Sequence, residues 1–317
     1  MLRQQSRLQM THSDLFKNDS ALAERIRRTF DLGSSVLPLR KIGTGFKSVV
    51  LGSPAGLVFR VALNRKAQKG HTRERYILPR LKSLLPVEVP DILGCCEASD
   101  DFPFGVMMQK EIEGPNQSTV LKRSTRAQPI ASSIGALIHA IQTIRQDDLP
   151  GLPSSDATRP EETWSYAQSY LNTTLTLSEL RTAEDWWEQY CRDLEQDCPD
   201  RRFSHGDLWQ EHVLFNAAGE PRIMGVLDWE HAGFDDPILD FVPQMRLGRE
   251  YMTSMLEAYQ AKGGEFGPEA LSRVELHLPY RELGGLCYCL ETGNMRDAQF
   301  CVEKFKTVMG PFEQDAR

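Results

Sequence analysis

No stretch of this 317-residue chain is apolar for long enough to span a bilayer. Its first thirty residues are polar and charged and lack the apolar run of a secretory leader. The seven cysteines are an odd number and none falls in C-x-x-C spacing, which argues against a zinc site, a redox motif or a disulfide framework. Basic residues are not in excess either: 37 Lys and Arg face 44 Asp and Glu, a net of −7. That balance speaks against nucleic acid and anionic membrane as partners. There is no internal repeat and no low-complexity tract. The expectation is a cytoplasmic protein with reduced thiols, and its length allows two compact domains.

Charge is distributed unevenly. Residues 1–114 carry 18 Lys/Arg against 12 Asp/Glu, a net of +6, and residues 115–317 carry 19 against 32, a net of −13. A basic first part suits a polyphosphate, and an acidic second part suits a cationic acceptor. Ordinary solubilising charge is the alternative.

The most informative segment is His205-Gly206-Asp207-Leu208-Trp209-Gln210-Glu211-His212 and the hairpin after it. Strand residues Val213–Phe215, a turn at Ala217–Glu220 and a second strand, Arg222–Leu227, deliver Asp228. A hairpin of that size folds the end of its second strand beside the start of its first. His212 and Asp228 are therefore expected to be neighbours, with Asp207 at the mouth. Such a group reads as a phosphoryl-transfer loop with a metal-binding carboxylate.

Upstream, Ile42-Gly43-Thr44-Gly45-Phe46-Lys47-Ser48 lies between two short apolar runs and reads as a hairpin over phosphates, because glycines let backbone N–H groups approach anionic oxygens. A plain turn is the alternative. The strand Leu57–Leu63 follows and carries Arg60. Thr72–Leu78 then reads as a helix with Glu74 on it, which Pro79 kinks or divides.

H-x-D-x-x-x-x-N followed by a metal-binding Asp is the kinase arrangement. In the form found here, His205-Gly206-Asp207 and then Leu227-Asp228-Trp229-Glu230…Asp236-Pro237-Ile238-Leu239-Asp240, it resembles the aminoglycoside phosphotransferase family of small-molecule kinases. The resemblance implies an α+β, bilobal, protein-kinase-like fold. Residues 1–114 would form a nucleotide-binding lobe, an antiparallel sheet with one main helix and an N-terminal helical extension. Residues 115–317 would form a larger, mostly helical catalytic and substrate-binding lobe. It further implies transfer of the γ-phosphoryl of GTP or ATP, with Mg²⁺, to a hydroxyl of a small acceptor. An aminoglycoside antibiotic comes first, as in resistance enzymes, and a macrolide or a metabolite of the choline or homoserine type next.

Roles follow residue by residue. Asp207 would be the base, and His205 a scaffold histidine. His212 and Asp228 would hold the metal, His212 standing in the Asn slot as in the 2″-aminoglycoside and macrolide branch, some of whose members favour GTP. Imidazole suits borderline metals better than magnesium. Gly43, Thr44, Gly45 and Ser48 would line the phosphates, Ser48 replacing the third glycine of protein kinases. Arg60 falls where kinases carry a lysine, with Glu74 as its partner. Gln109 and Glu111, at the end of a strand read as Asp101–Glu111, would meet the purine. Glu230, Glu275 and Tyr280 are candidate acceptor contacts, with Glu282 beside them. Asp236 and Asp240 would tie loops together.

Helices are also read at Ser20–Phe30, Pro129–Gln146, Thr163–Leu175 and Thr182–Gln196, the last opening on a Thr182-x-x-Asp185 cap. Two other classes stay open. One is a kinase fold that binds nucleotide without turnover, suggested by Arg60 and His212. The other is a metallohydrolase using His205, Asp207, His212 and Asp228.

Overall fold

A computed structural model of the chain describes residues 19–44, 47–124, 127–152, 160–195 and 201–309. Its elements begin with α1 (Asp19–Thr29), β1 (Arg40–Thr44), β2 (Ser48–Ser53), β3 (Leu57–Ala62), α2 (Arg65–Leu81), β4 (Asp91–Cys96) and β5 (Val106–Lys110). Helices α3 (Gln117–Arg123), α4 (Gln128–Gln142), α5 (Pro160–Thr174) and α6 (Leu177–Glu195) follow. Four short strands come next: β6 (Arg202–Ser204), β7 (Val213–Phe215), β8 (Ile223–Val226) and β9 (Gly233–Asp235). Helices α7 (Arg249–Ala261), α8 (Ala270–Thr292) and α9 (Met295–Met309) close the described chain. It is an α+β protein.

The chain divides into two units, the first taking described residues up to Ser124 with 144–152 and 210–232, the second taking the rest. In the first, an antiparallel sheet runs in the order β1-β2-β3-β5-β4. Side chains alternate along β3. Phe59 and Val61 join Leu22 and Ile26 of α1, with Val49, Leu51, Val106 and Met108, in one apolar core. Each such side chain, once buried, stabilises the fold by roughly 1.5–3 kcal/mol. Helix α1, whose role the sequence left unread, thus covers one face of the sheet. Arg60, between Phe59 and Val61, faces the other way, toward α2. Asn64 caps α2, its side chain accepting from Ala67 N–H at 2.9 Å.

In the second unit, Trp164, Leu171, Trp186 and Tyr190 of α5 and α6 pack with Leu283 and Leu286 of α8 and Phe305 of α9. Trp164 stacks on Trp187 at 5.0 Å, and the Trp186 indole N–H donates to Leu276 O at 2.9 Å. These aromatics are core and its margin. Strands β6 and β9 form a separate antiparallel pair.

Several boundaries differ from expectation. Only Val106–Lys110 of the expected strand Asp101–Glu111 is extended. Residues before it make a turn, in which Gly105 N–H and Ser99 N–H both donate to Phe102 O at 2.9 Å. Helix α6 starts at Leu177, not Thr182, because the working cap lies upstream. Thr176 N–H donates to Glu179 Oε2 at 2.8 Å, and Glu179 N–H donates back to Thr176 Oγ1 at 3.3 Å. Pro79 does not divide α2; it falls two residues before the helix's end, so little helix remains beyond it to be redirected. Gly114, the expected lobe boundary, falls inside the first unit. Its φ is +143°, and a Cβ there would lie 2.2 Å from Phe215 O, so only glycine fits.

Candidate active site

Arg60 is the centre of the first unit's polar interior. Its Nη1 donates to Glu74 Oε1 at 2.7 Å and to Oε2 at 2.5 Å, and its Nη2 donates to Asp228 Oδ1 at 2.8 Å. Glu230 Oε2 lies 3.7 Å from the same Nη2. Burial opposes the charge on Arg60, but Glu74, Asp228 and Glu230 outweigh it and hold the guanidinium charged. Burial pushes the Glu74 carboxyl upward, and Arg60 beside it works against that shift. Arg60 thus reaches the helix glutamate and the hairpin aspartate at once.

The hairpin forms as its sequence suggests. Val213 pairs with Val226 and Leu214 with Gly225, and Leu227 N–H donates to His212 O at 2.8 Å. That last bond brings His212 opposite the end of β8. His212 Nε2 and Asp228 Oδ2 are 3.5 Å apart. Asp228 itself is left-handed, φ +64°, a region that non-glycine residues occupy at a cost of about 1–2 kcal/mol. Its neighbours hold it there. The next residue, Trp229, is buried, and its N–H donates to Glu74 Oε1 at 3.0 Å.

Lys47, which sequence reasoning passed over, extends this network. Its Nζ donates to Glu230 Oε1 at 2.7 Å and lies 2.8 Å from His231 Nε2. Burial would raise the Glu230 carboxyl, yet His231, Lys47 and Arg60 hold it below the usual carboxylate range. A Cβ on Gly70 would come within 2.9 Å of Glu230 Cβ, so glycine gives α2 room to approach. Glu230 is therefore an interior ion-pair member, not an exposed contact for acceptor amines. Among the described residues, three buried polar atoms here make no hydrogen bond: Ser48 Oγ, His71 Nε2 and Glu230 Oε2. Burial, with Arg60 nearby, lowers the His71 imidazole to about 3 and keeps it neutral.

Asp207 belongs to the second unit. Its loop is fastened from below by Asp240, which is buried and accepts from His205 N–H at 3.0 Å and Gly206 N–H at 2.8 Å. Burial pushes Asp240 up to about 6 despite those two bonds. The His205 ring accepts from Asp207 N–H at 3.2 Å, a scaffold contact. Asp236 accepts from Ile238 N–H and takes Arg273 at 2.6 Å. The Asp207 carboxylate is ion-paired with Arg281 of α8. Arg281 was not singled out in the sequence. It stands between Tyr280 and Glu282, and only the carboxylates and the tyrosine of that helix drew notice.

Other expected residues fall elsewhere. Gly43 and the Thr44 backbone are in β1, opposite Val50 and Val49, and Gly45 lies outside the described residues. Gln109 is buried in β5 between two strands, so its backbone serves the sheet. Glu111 N–H donates to Gly56 O at 2.9 Å. Glu275 is ion-paired with Arg249 at 2.5 Å, and Tyr280 stacks on Tyr190 with its hydroxyl 3.3 Å from Thr163 Oγ1. Neither reaches for an amine; each has a partner.

A divalent cation fits the hairpin's donors in part. One carboxylate with substrate oxygens and water is a common way to hold Mg²⁺. Asp228 Oδ2, pointing away from Arg60, supplies that, and His212 adds a nitrogen that suits borderline metals.

Residues 39–274 match the model of the phosphotransferase enzyme family, and the chain belongs to that family. Its fold is that of kinase-like phosphotransferases. It is similar to aminoglycoside 2′-phosphotransferase-IIIa, solved as the GDP complex, with a TM-score of 0.79 at 16% identity over 92% of this chain and 99% of that one. It is also similar to macrolide 2′-phosphotransferase type I, with a TM-score of 0.67 at 19% identity over 93% and 98%. In sequence it is 34% identical over 91 residues to YcbJ, an uncharacterized protein of Bacillus subtilis (strain 168). That match spans 27% of this chain and 29% of the relative's length.

Proposed function

We propose that this chain transfers the γ-phosphoryl group of GTP or ATP to a hydroxyl of a small molecule. The observation that carries the reading is the Arg60 cluster: one buried guanidinium bound to Glu74 and Asp228, with His212 beside Asp228 and an unpartnered Ser48 hydroxyl on the glycine hairpin. Buried polar atoms are rarely left without partners, so a polar ligand is the natural complement.

In this reading residues 1–114 bind the nucleotide, and residues 115–317 supply the base, the metal ligands and the acceptor surface. Arg60 grips the nucleotide phosphates with a fork that never loses its charge. Asp228 and His212 would hold Mg²⁺, which when bound would supply charge neutralisation at the phosphate oxygens. Asp207, five residues before His212 in the chain, orients the acceptor hydroxyl and takes its proton. The acceptor oxygen bonds to the γ-phosphorus as the bond to the β–γ bridging oxygen breaks, and the diphosphate leaves. Histidine in the Asn slot and a neighbour solved with GDP make GTP a donor to test beside ATP. The need for nucleoside triphosphate makes the cytoplasm the expected compartment.

Aminoglycosides and macrolides are the acceptors of similar folds. The acidic excess of residues 115–317 adds little to the aminoglycoside case, because Glu275 and Glu282 are already paired with arginines. Replacing Asp207 by Asn should lower turnover by about 10²–10⁴ while leaving nucleotide affinity nearly intact. Nucleotide consumption measured against an acceptor panel checks this, and undiminished turnover removes Asp207 as the base. The competing reading, a nucleotide binder without turnover, draws on the Arg60 bond to Asp228, and turnover of any acceptor ends it.

A further inference from the structure

We propose that the acceptor is a hydroxy acid and that Arg281 recognises its carboxylate, a proposal that rests on Asp207 being the base. Arg281 pairs with the Asp207 carboxylate through Nη2, and its Nη1 lies 3.3 Å from Gly206 O. Its Nε is buried and makes no hydrogen bond. The guanidinium lies over the Trp209 ring, 5.3 Å from its centroid, and Arg246 approaches the same ring at 5.9 Å. Two cations therefore flank the indole two residues beyond the base.

The acids nearby are engaged. Glu282 is paired with Arg246 and Glu275 with Arg249. Asp193 and Asp236 share Arg273. Asp240 is occupied by backbone N–H groups. Thus these five carboxylates each hold a partner, whereas the cation beside Asp207 keeps a donor unused. In this proposal the acceptor hydroxyl competes for the Asp207 carboxylate, and the acceptor's own carboxylate takes its place on the Arg281 fork. A planar guanidinium matches a carboxylate with two parallel N–H···O bonds. A polyamine in the same place would set its ammonium groups against Arg281 and Arg246.

The full chain, with Mg²⁺ and GTP or ATP, is to be assayed with glycerate, homoserine, gluconate and pantothenate, each beside its amide, and with kanamycin and erythromycin. The best hydroxy acid should exceed its amide in kcat/KM by about tenfold or more. Arg281→Gln should collapse that ratio through KM for the acid while nucleotide KM holds, and Arg281→Lys should restore part of it. Should Arg281→Gln fail to fold, the acid-to-amide ratio of the unaltered chain decides. The proposal is overturned if kanamycin or erythromycin is preferred to every hydroxy acid, if no hydroxy acid is phosphorylated, or if Arg281→Gln leaves the ratio unchanged. Kanamycin turnover would keep the phosphotransfer reading and reject only the anionic acceptor. Failure to bind or consume nucleotide under any condition would take down both.

Discussion

Arg60 holds Asp228 in the first unit and Arg281 holds Asp207 in the second, yet the surroundings of the two guanidinium groups differ. Arg60 is buried, spends two bonds on Glu74 and one on Asp228, and has Glu230 close by. Arg281 has one carboxylate, one carbonyl and an indole face, with an N–H to spare. A guanidinium saturated with carboxylates is a fastening, because releasing it exposes a buried charge. One with an unused donor is less completely fastened. The same pair of residue types therefore saturates the guanidinium in one place and leaves a donor unpaired in the other.

That contrast can be broken by experiment. Glu74→Gln should lower unfolding free energy by about 3 kcal/mol, since it removes half of a buried ion pair and weakens the anchor of Trp229 N–H. Arg281→Gln should cost under about 1 kcal/mol, as expected of a partly exposed pair. Denaturant titration of both variants compares them directly, and equal losses would erase the distinction.

A pH series sharpens the second member of the comparison. Asp240, which supports the Asp207 loop, has its folded-state pKa raised from 3.8 to about 6 by burial. A carboxyl raised on folding holds its proton more tightly in the native state, so its contribution to stability declines as pH rises from about 4 to about 6. The stability advantage of the natural chain over Asp240→Asn should shrink across that window by roughly 2 kcal/mol. Chemical denaturation at pH 4, 5 and 6.5 measures it; a constant difference would mean Asp240 does not titrate there.

A further test concerns the rim of the first cluster. Gly70→Ala should cost about 1–2 kcal/mol, because the new methyl group meets Glu230 and loosens its bond to Lys47. A thermal midpoint unchanged from the parent would show that Glu230 has room to move.

Much of this arrangement was legible in the sequence where the partners are local or follow a known order. The hairpin from Val213 to Val226 states its own register, and the order of Arg60, Glu74 and Asp228 follows the kinase pattern. Residues whose meaning depends on distant partners were not legible. Glu230 reads as a surface acid until Lys47, 183 positions away, is seen on it. Gln109 reads as a hinge residue until strands appear on both sides of it. The start of α6 was missed because Thr182-x-x-Asp185 imitates the cap that Thr176 and Glu179 form in fact. Arg281 shows the same limit: a helix surface arginine gives no sign of which carboxylate it will meet.

The bond from Trp229 N–H to Glu74 Oε1 has one more consequence. It ties the turn after Asp228 to the middle of α2, so a rotation of that helix about its own axis would drag the aspartate with it. Anything that leans on the helix thereby acts as a hand on a lever, able to turn the hairpin's carboxylate without touching it.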